Sequence, residues 1–342
     1  MVSPNPFYPD ESDTPAHCMA LHSRLAYSGH REVADQLKFH RFDKLYLFTY
    51  LGSNAYLAGF QKPEGKMCWI LAFRGTENDY KDILHDITVF KRTADYDHGY
   101  RVHGGFLTAI QHVWGSWGRQ QPDNPDDIYT RVGPKGISEI LVREVRQQDT
   151  LWVTGHSLGG ALAHLAAYYI QRDMKLSVTG LYTFGAPRLL DKDMAELLKT
   201  EKPFPAYRFV HAADIVPRVP PWVMGFHHGA PEWYISKKGD IYKKPGIFLK
   251  FKDIWYRQFF FILMVAAIVF GFFQYISGFN FWLWNALLGL AVGMLAWLMI
   301  PRLFKLIPFP LLRGLRFRAF SDHQINKYVE HTSNEKGFER VS

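Results

Sequence analysis

Leu151–Tyr168 reads LWVTGHSLGGALAHLAAY, and this stretch decides the fold. Val153 and Thr154 are β-branched and suit a strand. Beyond Gly159 the chain turns to Ala and Leu, which are strong helix formers. Between the two lies Gly155-His156-Ser157-Leu158-Gly159, so the order is strand, sharp turn, helix, with a serine at the apex of G-x-S-x-G. Such a turn forces the serine into a strained backbone conformation with its Oγ exposed above the sheet. The flanking residues are glycines because side chains there would clash with strand and helix. The backbone N–H of Leu158, at the helix N-terminus, then points at the oxyanion that attack by Ser157 would create. Ser157 is therefore the candidate nucleophile and Leu158 a candidate oxyanion-hole donor.

Working outward, Ala16–Lys38 reads as a helical region. Leu45–Phe60 and Met67–Phe73 read as strands, with a hairpin turn at Gly52-Ser53-Asn54. Arg74–Phe90 reads as loop and short helix, and Val102–Trp117 as a helix entered through Gly104-Gly105. Ile137, Ile140, Leu141 and Val145 recur at helical spacing, which predicts an amphipathic helix over 135–148. Strands Val178–Phe184 and Tyr207–His211 follow, with a helix at Asp191–Thr200 between them. Strands alternating with helices predict an α/β fold: a mostly parallel sheet with helices on both faces.

The chain has 342 residues, two cysteines and a formal net charge of +8. Cys18 and Cys68 are far apart and lack metal-type spacing, so neither a disulfide framework nor a metal site is expected. No phosphate-binding glycine loop is present, and no cofactor is expected. The N-terminal segment is Pro-rich and acidic, without the features of a cleavable secretion signal.

The basic residues are clustered. Lys243, Lys244, Lys250, Lys252 and Arg257 precede a run without any charged residue, and basic residues resume at Arg302, Lys305, Arg313, Arg316 and Arg318. Within the run, Phe259–Ile276 and Phe279–Ile300 are apolar blocks of 18 and 22 residues, separated by Ser277-Gly278. Each approaches the length that a helix needs to cross a bilayer core of about 30 Å. These features predict three pieces: residues 1–250 as the α/β domain, 251–312 as an inserted hydrophobic helical hairpin with basic flanks, and 313–342 as a return segment. The positive flanks place both outer ends of the hairpin on the cytoplasmic side of a membrane. Because they border apolar blocks, they suit anionic headgroups rather than nucleic acid. The expected location is thus the membrane, with the catalytic domain facing the cytoplasm.

A serine nucleophile needs a base, an acid to orient it, and a second oxyanion donor. The acid candidate is Asp214, just past an apolar strand, at the sheet end where ligand sites form in open α/β folds. For the base, His227, His228 and His323 all remain in play on residue order alone.

Several segments together resemble the fungal-type triacylglycerol lipases, the class three lipases of the α/β-hydrolase fold. They are Ala72-Phe73-Arg74-Gly75-Thr76 with the Asp82-Ile83 and Asp86-Ile87 stretch, Val102-His103-Gly104-Gly105-Phe106, Gly155–Gly160, Thr183–Arg188, Asp214–Pro220, and His228 with Glu232–Ile235. The resemblance implies Ser157 as nucleophile, Asp214 as acid, and Thr76 with the Leu158 N–H as the oxyanion hole. It also implies His323 as base, in a segment where the family carries Asp-His-x-x-Tyr and this chain carries its tyrosine later, at Tyr328. The inserted hairpin departs from the family. If Ser157 and His323 meet, the chain between them crosses a membrane an even number of times or not at all, which two blocks and a tight turn satisfy.

The resemblance implies a serine hydrolase that cleaves carboxylic esters of glycerolipids through an acyl-enzyme, and the expected hairpin adds attachment to a membrane. The partners expected are a lipid ester substrate and a membrane surface. A phospholipase A, an acyltransferase using the same triad, and an inactive membrane scaffold are the alternatives. The segment Thr76–Phe90 is a candidate lid.

Overall fold

The elbow strand lies in the middle of one eight-stranded sheet. A computed structural model describes residues 5–12, 14–76, 93–97, 99–115, 136–243, 245–246 and 322–333. The chain divides into two units, residues 1–244 with 320–342 and residues 245–319, and every described helix and strand belongs to the first. The hydrophobic hairpin expected at Phe259–Ile300 lies outside the described residues, as does nearly all of the candidate lid. Among the described residues, no helix is long and apolar enough to cross a membrane.

The strands are β1 (Lys44–Tyr50), β2 (Ser53–Gln61), β3 (Met67–Phe73), β4 (Thr93–Asp97), β5 (Tyr100–His103), β6 (Thr150–His156), β7 (Gly180–Phe184), β8 (Ala206–His211), β9 (Glu232–Ile235) and β10 (Ile241–Lys243). The large sheet has the order β1-β2-β3-β6-β7-β8-β9-β10, and β4 and β5 pair separately. From β3 to β9 neighbours run parallel, while β1, β2 and β10 are antiparallel to the strands beside them. The α/β-hydrolase arrangement expected from the sequence is present: a mostly parallel sheet with an elbow at the end of a central strand.

Period-two alternation of apolar residues builds two cores, one on each face. In β3, Trp69, Leu71 and Phe73 join one cluster, while Cys68, Ile70 and Ala72 join the other. The first face is covered by helices α3 (Gly104–Trp114), α4 (Ile137–Glu144), α5 (Leu158–Arg172) and α6 (Lys192–Glu201). The second is covered by α1 (Pro15–Leu25), α2 (His30–Phe39) and α7 (Ile325–Thr332). Burying each large apolar side chain, such as the fully buried Phe73 or Leu57, contributes about 2 kcal/mol.

Local chemistry explains where these elements begin and end. Thr14 is extended ahead of Pro15, and its hydroxyl accepts from the His17 N–H at 3.0 Å, capping α1. Asp191 caps α6 in the same way, accepting from the Met194 N–H at 2.8 Å. The single helical region expected over 16–38 is two helices. Ser28 and Gly29 are poor helix formers, and tight-turn bonds from Tyr27 N–H to Arg24 O and from Ser28 N–H to Leu25 O end the first helix. The β1–β2 turn lies one residue earlier than expected. Leu51 and Gly52 both have positive φ, 43° and 81°, so Ser53 is already paired with Tyr50. The helix expected from Val102 begins only at Gly104, because Val102 belongs to β5 and bridges Leu190.

One buried polar knot fixes α1 under the elbow strand. Ser23 Oγ lies 2.8 Å from Thr154 Oγ1, and that hydroxyl is within 3.1 Å of Met19 O and 3.0 Å of Tyr182 O. Buried hydroxyls satisfied in this way specify one seating of the helix on the sheet.

Candidate active site

The site is assembled at the carboxyl end of β6, β7 and β8. Ser157 stands between β6 and α5 with φ 57° and ψ −129°, a strained conformation for any residue that carries a side chain. Two glycines make the turn sterically possible. A Cβ on Gly155 would lie 2.2 Å from Gly159 O, and one on Gly159 would lie 2.3 Å from Phe73 O. The Ser157 N–H donates to Phe184 O at 2.9 Å, which holds the apex against the end of β7. Leu158 is the first residue of α5, one of the positions whose N–H a helix start leaves without an intrahelical acceptor. Ser157 is only 1% exposed, more enclosed than the motif suggests.

Asp214 follows β8 through a turn in which Ala212 takes φ 39°. Its carboxylate is fully buried and accepts three donors. The Val216 N–H reaches Oδ1 at 2.9 Å, His323 Nδ1 reaches the two oxygens at 3.0 and 2.9 Å, and the Tyr328 O–H reaches Oδ2 at 2.5 Å. Arg218 steadies the backbone of this turn, donating to Asp214 O at 3.0 Å and to Ala212 O at 3.1 Å. Tyr328 stays protonated, since burial and then the neighbouring carboxylate push its hydroxyl well above the ordinary tyrosine range.

His323 comes from the far end of the chain and is 3% exposed. Its Nδ1 faces a carboxylate, which only accepts, so the ring proton sits on Nδ1 and the lone pair on Nε2. That Nε2 and Ser157 Oγ are both buried and have no hydrogen-bond partner among the described residues, as catalytic pairs without substrate often do not. The two residues share the same neighbourhood. The His323 ring lies over His156, with centroids 4.5 Å apart. A Cβ on Gly185, directly after the Phe184 that holds Ser157, would lie 2.9 Å from His323 Nδ1 and 2.8 Å from Asp214 Oδ2.

The base segment is held by contacts outside the reacting groups. The Ala213 N–H donates to Asp322 Oδ2 at 3.1 Å, and the His211 N–H donates to Tyr328 Oη at 3.1 Å. The Thr14 hydroxyl donates to Thr332 O at 3.0 Å. The other histidines in play are engaged elsewhere. His228 Nε2 lies 2.8 Å from Pro217 O, and burial with Arg208 beside it holds this ring well below the ordinary histidine range. His227 pairs through its backbone with Leu190.

Thr76 is half-buried and ends the stretch that follows β3. A Cβ on Gly75 would lie 2.7 Å from His156 O, and one on Gly159 would lie 2.9 Å from Arg74 O, so this stretch runs directly against the elbow. Sequence reasoning treats Tyr328 only as a displaced family residue and misses its bond to Asp214. The available signal is an aromatic next to Val329 in the short amphipathic helix Ile325–Thr332, on its buried face. Among the described residues, no group of three or more His, Cys, Asp or Glu side chains could hold a metal ion.

The sequence pattern of the class 3 lipases matches residues 70–224, which hold Thr76, Ser157, Leu158 and Asp214. Over this span the chain is similar to the class 3 lipases. It is 31% identical over 167 residues to the secreted mono- and diacylglycerol lipase 1 of Fusarium solani, covering 49% of this chain and 44% of that protein. It is 34% identical over 177 residues to the lipase of Rhizopus niveus, covering 50% of this chain and 40% of that one. The chain thus spans less than half the length of these relatives. Among solved structures, the lipase from Rhizopus microsporus var. chinensis aligns with a TM-score of 0.47 at 28% identity, over 65% of this chain and 72% of that one.

The lipase relatives correct one expectation. A membrane location with the catalytic domain on the cytoplasmic side does not stand. The Fusarium solani relative is named as secreted, and no helix of the described residues is long and apolar enough to cross a membrane.

Proposed function

We propose that this chain is a serine-dependent carboxylic ester hydrolase acting on acylglycerols. The observation that carries the proposal is the convergence of a strained, buried Ser157 with the His323–Asp214 pair, whose Nδ1–Oδ2 distance is 2.9 Å. His323 Nε2 takes the Ser157 proton as Oγ attacks the ester carbonyl, and Asp214 stabilises the imidazolium that forms. The Leu158 N–H and Thr76 receive the oxyanion. Collapse of the tetrahedral intermediate releases the alcohol, protonated by His323, and leaves an acyl group on Ser157. Water, deprotonated by His323, then releases the fatty acid.

The substrate class is taken from relatives whose names specify mono- and diacylglycerols, and the reading extends to triacylglycerol and phospholipid esters as candidates. Fatty-acid release from dispersed mono-, di- and triacylglycerol and from phosphatidylcholine tests it. Turnover of at least one acylglycerol, abolished by Ser157→Ala in folded protein, is the expected result. No turnover of any of them overturns the reading. Adding an alcohol to the same assay separates hydrolysis from acyl transfer: ester products outrunning free acid would make the chain an acyltransferase.

A further inference from the structure

His156 is the middle residue of the elbow, adjacent to Ser157, and the triad leaves its role unassigned. Both of its ring nitrogens are engaged. Nε2 lies 2.6 Å from the backbone carbonyl oxygen of His323, and Nδ1 lies 2.8 Å from the Tyr27 hydroxyl. A carbonyl oxygen only accepts, so Nε2 carries a proton. The ring is buried, and burial holds it well below the ordinary histidine range, with the His323 ring beside it acting in the same direction. It is therefore neutral, Nδ1 is an acceptor, and the Tyr27 hydroxyl donates to it.

Tyr27 occupies the turn between α1 and α2, far in sequence from every residue of the triad. Its hydroxyl also lies directly against Gly75: a Cβ there would come 2.1 Å from Tyr27 Oη and 2.7 Å from His156 O. One hydroxyl thus touches both the stretch leading to Thr76 and the ring that holds the base segment.

We infer that Tyr27 is a positioning residue for the base: it locks His156 in the Nε2–H tautomer, and that N–H holds the His323 main chain, and with it the His323 ring, over the elbow. The inference rests on the hydrolase reading above. Without the Tyr27 hydroxyl, the Nδ1–H tautomer loses its steric and electrostatic penalty. In that tautomer a nitrogen lone pair faces the His323 carbonyl, and the base segment is pushed off its position. A displacement on the order of 1 Å costs up to about 100-fold in rate. Since the acyl-binding surfaces are not moved, the loss falls on kcat.

The test uses the full chain with 15N-labelled histidine, the His156→Gln variant supplying the assignment. In the wild type the expected signature is a protonated Nε2 and an unprotonated, hydrogen-bonded Nδ1 for His156, with Nδ1 changed in Tyr27→Phe. Tyr27→Phe is expected to lower kcat about 10-fold on a soluble ester, with KM within about twofold. In His156→Gln the side-chain amide can donate to the His323 carbonyl without help from Tyr27, so adding Tyr27→Phe to it is expected to change kcat by less than about twofold. A protonated Nδ1 in the wild type overturns the inference, even if the Tyr27 variant folds poorly. So does Tyr27→Phe with wild-type kcat, or an equal loss in both backgrounds. Absence of ester turnover in the wild type overturns the hydrolase reading instead, and the nitrogen signature still decides the tautomer.

Discussion

Gly155–Gly160 and Asp322–Ser333 meet in one site, yet they take their geometry from opposite sources. In the elbow, the strained serine, the close glycines and the helix start are all within a few positions of one another. In the base segment, almost every fixing contact is remote. Asp214 lies 109 residues from His323, His156 lies 167 away, and Thr14 lies 318 from Thr332. The elbow's turn is built from neighbouring residues, with Phe73 O and Phe184 O pressed against it from elsewhere in the sheet. The base segment is aimed only when the whole α/β unit is assembled around it.

The largest expected effects break both regions at the reacting atoms. Ser157→Ala and His323→Ala are each expected to lower kcat by about 10^4-fold or more while leaving the melting transition within a few degrees. Because these residues act as a unit, the double variant is expected to be no slower than the worse single one, which steady-state kinetics on a soluble ester would show. Asp214→Asn, which removes the charge and permits the wrong His323 tautomer, is expected to cost about 10^4-fold.

Next in size is a purely local break. Gly155→Ala places a Cβ 2.2 Å from Gly159 O, so either the elbow opens or the strand shifts. About 3 kcal/mol of stability is expected to be lost, read from the denaturant midpoint. No remote substitution is expected to restore it, in keeping with the elbow's local origin.

Tyr328→Phe probes the remote side more gently. It removes one donor from the buried Asp214 carboxylate and the acceptor of the His211 N–H. A loss of about 2 kcal/mol in stability and about 10-fold in kcat is expected, with KM little changed.

The smallest expected effect comes from pH. His22 in α1 and His164 in α5 are both buried, and burial lowers each from 6.5 to about 4. The unfolded chain therefore binds protons that the fold excludes. Stability is full above about pH 7 and falls as pH drops through 6.5 toward 4. Between pH 7 and pH 6 the two rings together are expected to remove about 1 kcal/mol, measurable as a lower denaturant midpoint. His22→Phe or His164→Phe in folded protein is expected to flatten that slope; an unchanged slope would show that these rings do not carry it.

The contrast between local and remote construction explains what the sequence discloses. The elbow, the alternation of strands and helices, and the Asp214 turn are legible because each is written in neighbouring residues. Tyr328 is visible as a residue but not as a partner of Asp214, because that bond depends on how α7 packs against β8. His156 and Tyr27 escape notice for the same reason: they are 129 residues apart and meet only through the seating of α1 on β6. The break between α1 and α2 is hidden because the apolar pattern continues across Ser28-Gly29 while the backbone turns. The expected membrane location rests on apolar length and charge flanks, signals that carry no information on the compartment in which relatives work.

Activation of Ser157 by His323 underlies every one of these effects, and a covalent probe reads it without a choice of substrate. The chain is treated with a fluorophosphonate and the adduct located by mass spectrometry. One adduct on Ser157 is expected, formed at least about 100-fold more slowly in folded His323→Ala. No adduct on Ser157, or one formed equally fast in both proteins, would mean that this serine is not a nucleophile that His323 activates.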